Sequence, residues 1–119
     1  MLQLNLSDEG SGSFRVELVG ELDYVTASLL EEQIAALELR RPRAVVVDLS
    51  SLTFLDSSGL RALLAAQRAA GNGGFDFAVQ DPLPQARRVF SLTGAKKFLN
   101  VVEDETDPDP GPAPERAAP

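Results

Sequence analysis

Ala44-Val45-Val46-Val47-Asp48-Leu49, followed by Ser50 to Leu55 and then by Asp56-Ser57-Ser58-Gly59-Leu60, is the passage that decides the fold. The valine run is short, β-branched and apolar on both sides of the chain, which predicts a central strand covered on both faces. Ser50 to Leu55 reads as a connection. Leu60, Leu63 and Leu64 then begin the buried stripe of a helix running to Ala70, with Gly71-Asn72-Gly73-Gly74 as its stop. A strand that passes through a turn into a helix implies a parallel crossover, so the neighbours on either side must supply more strands.

They do. Upstream, Leu2, Leu4 and Leu6 alternate with polar residues, Ser7 to Ser13 supplies a turn, and Phe14, Val16 and Leu18 alternate again. Two alternating strands around a tight turn predict an antiparallel hairpin. Thr26 to Arg41 places Ala27, Leu30, Ile34 and Leu37 on one helical face, with Asp23 and Thr26 as candidate N-terminal caps and Pro42 as the stop. Downstream, Phe75 to Val79 reads as a strand. Pro82 and Pro84 open a third helix with Ala86, Val89 and Phe90 on its apolar face, Thr93-Gly94 closes it, and Phe98 to Val102 is a candidate last strand. The predicted order is β-β-α-β-α-β-α with a final β: an α/β domain whose mixed sheet of four or five strands is flanked by helices.

Composition narrows the chemistry. The chain has 119 residues, no His and no Cys. That removes the usual zinc, copper and haem ligand sets, disulfides, and the Ser-His-Asp and Cys-His nucleophile systems. No stretch approaches a membrane span, and Met1 to Asn5 reads as strand rather than leader, which predicts a cytoplasmic protein with no membrane insertion. The formal net charge of −7 opposes direct nucleic-acid binding. Most of that charge is local: Glu103, Asp104, Glu105, Asp107, Asp109 and Glu115 face only Arg116 in the last segment, leaving −2 on residues 1–102. That segment also carries Pro108, Pro110, Pro112, Pro114 and Pro119, a composition that predicts a disordered, solubilising tail over 103–119 beyond a domain spanning 1–102.

Asp56-Ser57-Ser58-Gly59 is the chemically interesting element, and three roles are open to it. Ser and Asp are what a helix start prefers as caps, with Gly59 letting the turn close. Ser57 as an enzyme nucleophile would need a base; there is no histidine, and Lys96 and Lys97, which could in principle serve, read as surface charges beyond the third helix. Ser57 as a kinase acceptor gains support from its place at a helix mouth, where unpaired N–H groups and the helix dipole favour an added phosphate. Gly71-Asn72-Gly73-Gly74 follows a helix and precedes a strand, the reverse of a phosphate-binding loop, so it is a turn.

Gly20-Glu21-Leu22-Asp23-Tyr24-Val25-Thr26-Ala27, the pair Asp48-Leu49, and Leu52-Thr53-Phe54-Leu55-Asp56-Ser57-Ser58-Gly59-Leu60 resemble the STAS-domain anti-sigma factor antagonists, as does Arg88-Val89-Phe90-Ser91-Leu92-Thr93-Gly94. The resemblance covers residues 1 to about 102, in ordered blocks at domain-like spacing. It implies a single STAS domain that regulates transcription in programmes such as stress response or sporulation. In that family an anti-sigma factor with serine/threonine kinase activity phosphorylates the serine after the aspartate, here Ser57, with Ser58 the second choice. The unphosphorylated antagonist binds the anti-sigma factor and frees the sigma factor, the phosphorylated form does not, and a protein phosphatase restores it. Asp23, Asp56, Ser57, Ser58, Gly59, Leu60 and Arg61 then form the partner-binding surface, with Asp23 serving as cap, contact or both.

Arg61 departs from the family, where the position after Gly-Leu is often small; docking the kinase's nucleotide, pairing with the phosphate and simple solvation are all open to it. No cofactor is implied, since ATP belongs to the kinase. Within the same fold, the alternative is a phosphorylation-independent STAS subunit of a stress-signalling assembly or a lipid transporter.

Overall fold

The protein is described here by a computed structural model covering residues 1–102, so the predicted tail at 103–119 lies outside the described residues. Strands β1 (Leu2–Gly10) and β2 (Ser13–Leu22) form the hairpin, and α1 (Ala27–Glu38) leads to β3 (Ala44–Leu55). Helix α2 (Ser57–Gly73), β4 (Asp76–Gln80), α3 (Pro84–Thr93), a 3-10 turn at Ala95–Lys97 and β5 (Val101–Val102) complete the order. The sheet runs β1-β2-β3-β4-β5, antiparallel at the hairpin and parallel elsewhere, so β3 is central as expected.

Several boundaries differ from the sequence reading, each for a local reason. β1 continues through Ser7 and Asp8, which pair with Arg15 and Phe14, because an exposed edge strand needs backbone partners rather than apolar side chains; the turn itself is Ser11-Gly12, both at positive φ. Helix α1 is shorter than Thr26–Arg41, ending before Arg41, which has φ 51°. Ser50 to Leu55 is not a connection. It extends β3, because β2 remains beside it down to the pair Leu22 and Leu55. Helix α2 runs through Gly71-Asn72-Gly73 and stops only at Gly74, whose φ of 75° supplies the left-handed cap. β4 begins at Asp76, one residue late, and Phe98 is not in the last strand, which is only Val101–Val102. Pro84 alone begins α3, at the first helical position, where a missing N–H costs nothing.

The core lies on one face of the sheet. Val16, Leu18, Val45, Val47, Phe77 and Val79 are buried together with Leu30, Ile34 and Leu37 of α1, Leu60, Leu63 and Ala66 of α2, and Phe90 of α3. The alternate side chains form a polar face. Arg15 pairs with Asp48 at 3.2 Å, Glu17 accepts hydrogen bonds from Asn5 and Ser51, and Val46 is half-buried among them. β3 is therefore amphipathic rather than covered on both faces. One strand of a sheet with polar neighbours on its second face keeps only every other residue in the core.

Candidate functional site

β2 and β3 end side by side, and the chain turns into α2 at Asp56, whose backbone is extended (φ −112°, ψ −174°). Asp56 is the cap. Its Oδ1 accepts from the Gly59 N–H at 2.9 Å, and its Oδ2 accepts from the Tyr24 N–H at 3.3 Å. One carboxylate thus satisfies the first turn of α2 and ties it to the segment before α1.

With the cap supplied by Asp56, the two serines are left uncommitted. Ser57 is the first helical residue, is exposed, and its hydroxyl makes no hydrogen bond with a described residue; Ser58 is half-buried. Gly59 and Leu60 are buried, so the first turn of α2 is seated on its inner side and open on the side of Ser57. A Cβ at Gly59 would overlap the Leu22 carbonyl oxygen and approach Leu55 Cδ1 to 2.8 Å, which is why glycine stands there. Arg61 is exposed one helical turn beyond Ser57, on the same face, with no partner among the described residues.

Asp23 sits in the adjoining turn. Its Oδ1 accepts from the Thr26 N–H at 3.0 Å, while the buried Thr26 hydroxyl accepts from the Asp23 N–H at 2.9 Å. The Thr26 hydroxyl proton is shared between the Glu21 carbonyl at 2.8 Å and Asp23 Oδ1 at 3.0 Å. Asp23 and Thr26 therefore close a turn against each other, and the Thr26 side chain makes no cap bond to α1. The Thr26 N–H first, and then its hydroxyl, hold the Asp23 carboxyl below its usual range. A depressed native value means that the ionised carboxylate stabilises the fold above the ordinary aspartate range, and that this contribution disappears as pH falls through the depressed value. Thr26→Val is expected to raise the Asp23 titration toward its usual range in a carbon-13 carboxyl titration. It should also lower stability by about 1–3 kcal/mol, because the Asp23 N–H and Glu21 C=O lose their partner.

Three neighbours of the turn escaped the sequence reading as site residues. Tyr24 and Val25 are about four-fifths exposed, and Phe54 is 42% exposed at the end of β3. The signal was present in Asp23-Tyr24-Val25-Thr26, where two large apolar residues stand in a polar turn with no periodicity to bury them. Lys96 and Lys97 are exposed and line a shallow hollow with Gln67, Phe98 and Asn100 that includes no residue of the serine turn.

A mixed five-stranded sheet in this order, with a seryl turn capped by aspartate at the mouth of α2, has the architecture of a STAS domain, and the family model described as STAS domain matches residues 8–107. An anti-sigma F factor antagonist of Paenibacillus polymyxa is 31% identical over 97 residues, covering 81% of this chain and 83% of that protein. The anti-sigma-F factor antagonist RsfB of Mycobacterium tuberculosis is 38% identical over 82 residues, 69% of this chain and 66% of that protein. The crystal structure of an anti-sigma factor antagonist from Mycobacterium paratuberculosis superposes with a TM-score of 0.78 at 34% identity, covering 90% of each chain. The chain belongs to the STAS-domain anti-sigma factor antagonist family.

Proposed function

We propose that this chain is a non-enzymatic binding module gated by phosphorylation of Ser57. Unphosphorylated, it docks on an anti-sigma factor that is also a serine/threonine kinase and so releases the sigma factor. Phosphorylated, it lets go, and a protein phosphatase resets it. The observation that carries this reading is that the Ser57 hydroxyl, at the exposed first position of α2, makes no hydrogen bond with a described residue, while Asp56 performs the capping that would otherwise occupy a serine. A phosphate at Ser57 meets the unpaired N–H groups of the helix start, so modification need not disturb the fold. Ser58, half-buried, is the poorer acceptor.

The docking surface comprises Asp23, Asp56, Ser57, Ser58, Gly59, Leu60 and Arg61. Tyr24 and Val25 add the apolar anchor that a polar turn alone lacks. The protein works in the cytoplasm, uses no cofactor of its own, and touches neither membrane nor nucleic acid; among the described residues no helix is long and apolar enough to cross a membrane. The kinase supplies ATP.

The direct test is to purify the native protein from its host and examine the tryptic peptide Ala44–Arg61 by mass spectrometry, identifying co-eluting proteins in the same preparation. Phosphate on Ser57 together with a kinase-like anti-sigma factor is the expected result. An unmodified peptide under every growth condition, with no such partner, would instead assign the chain to the phosphorylation-independent STAS subunits.

A further inference from the structure

Leu55 is the last residue of β3, directly before Asp56, and its backbone groups face away from β2. The Asp56 N–H reaches the Leu22 carbonyl on the β2 side, and successive residues of a strand point their N–H and C=O groups to alternate sides. On the other side no strand among the described residues receives them, because the pairing of β3 with β4 ends at Asp48 and Gln80. The place is taken by a side chain from α3. Gln85 Oε1 accepts from the Leu55 N–H at 2.9 Å, and Gln85 Nε2 donates to the Leu55 carbonyl at 2.9 Å. A primary amide presents one acceptor and one donor in a plane, as a peptide group does, so Gln85 completes the ladder where the sheet stops.

Asp56 is thereby held between two anchors. Gln85 fixes the residue before it from α3, and the Tyr24 N–H fixes its carboxylate from the turn before α1. We infer that Gln85 is a positioning residue for the serine turn: its two hydrogen bonds to Leu55 set where Asp56 lies, and through Asp56 the angle at which the first turn of α2 presents Ser57. The regulatory part of this inference rests on the function proposed above; the positioning part does not.

Hydrogen exchange on the free full-length chain separates the two. In Gln85→Leu the Leu55 amide loses its own partner, so its exchange is expected to quicken about tenfold to a hundredfold. The deciding reporter is the Gly59 amide, whose partner Asp56 Oδ1 is untouched by the substitution. Positioning predicts that Gly59 quickens about tenfold as well, while Val16 and Val47 in the sheet centre keep wild-type protection. Gln85→Glu keeps the acceptor for the Leu55 N–H but loses the donor to the carbonyl, so it should fall between the two.

Faster exchange at Leu55 with Gly59 unchanged would reduce Gln85 to a local hydrogen-bond partner and overturn the inference. Equal loss at Val16 and Val47 would do the same, by making it a general stability residue. Where Gln85→Leu does not fold, the same comparison in Gln85→Glu decides. Ser57 phosphorylation by the kinase recovered with the native chain is expected to slow about as much as Gly59 loosens. If that kinase leaves the wild-type chain unmodified, the functional reading fails and the exchange pattern still decides the role of Gln85.

Discussion

Replacing Ser57 with aspartate is expected to weaken binding of the anti-sigma factor partner by about a hundredfold to a thousandfold or more while leaving the fold intact. The wild-type hydroxyl is exposed and makes no hydrogen bond with a described residue, so nothing in the described fold is lost with it. A carboxylate at the first helical position is favoured by the helix dipole, by about 0.3–1 kcal/mol, which leaves the urea midpoint equal or slightly higher.

The penalty falls entirely on the complex. A new charge enclosed against a partner without a matching cation costs about 3–5 kcal/mol, and about 1.4 kcal/mol corresponds to each decade of affinity. Asp56 adds to the penalty, because its carboxylate is fastened by the Gly59 and Tyr24 N–H groups and cannot swing away from a second negative charge. Arg61, one turn along the same face, is a cation placed to offset part of it. Titrating wild type and Ser57→Asp against the purified partner measures the ratio. Equal affinities with a native circular dichroism spectrum would remove the switch from Ser57.

Much of this architecture is written in short-range patterns. The alternation at Phe14, Val16 and Leu18, the Val45 to Val47 run, and the stop at Gly94 locate their elements, because each depends on residues within one strand or one turn. The same holds for the cap: an aspartate followed by two serines and a glycine before an apolar stripe is a helix start on local grounds. What escaped detection depends on distant partners. The Ser50 to Leu55 segment is polar enough to pass for a connection, and only β2 lying alongside makes it strand. Gln85 looks like any solvent-facing glutamine of a helix start, yet its partner is 30 residues away. The bond from Tyr24 to Asp56 spans 32 residues. Local propensity carries no information about such contacts, and they are the ones that aim the serine.

Gly59 shows how far packing overrides propensity at the same turn. Within a helix, alanine is favoured over glycine by about 1 kcal/mol, so Gly59→Ala would ordinarily stabilise. Here the new methyl would run into the Leu22 carbonyl oxygen and stand 2.8 Å from Leu55 Cδ1. The carbonyl cannot retreat cheaply, because it belongs to the last residue pair of the β2-β3 ladder and receives the Asp56 N–H. The start of α2 must lift instead, stretching the Asp56 cap and carrying Ser57 with it. The expected net cost is about 2–3 kcal/mol, read as a lower urea midpoint at unchanged slope, and partner affinity should fall even where the variant remains folded. Gly71→Ala is the internal control: it lies in the same helix, its Cβ would meet no atom within 4 Å, and it should stabilise by about 0.5–1 kcal/mol. If both substitutions stabilise alike, the seat of α2 on Leu22 is not what fixes the serine turn.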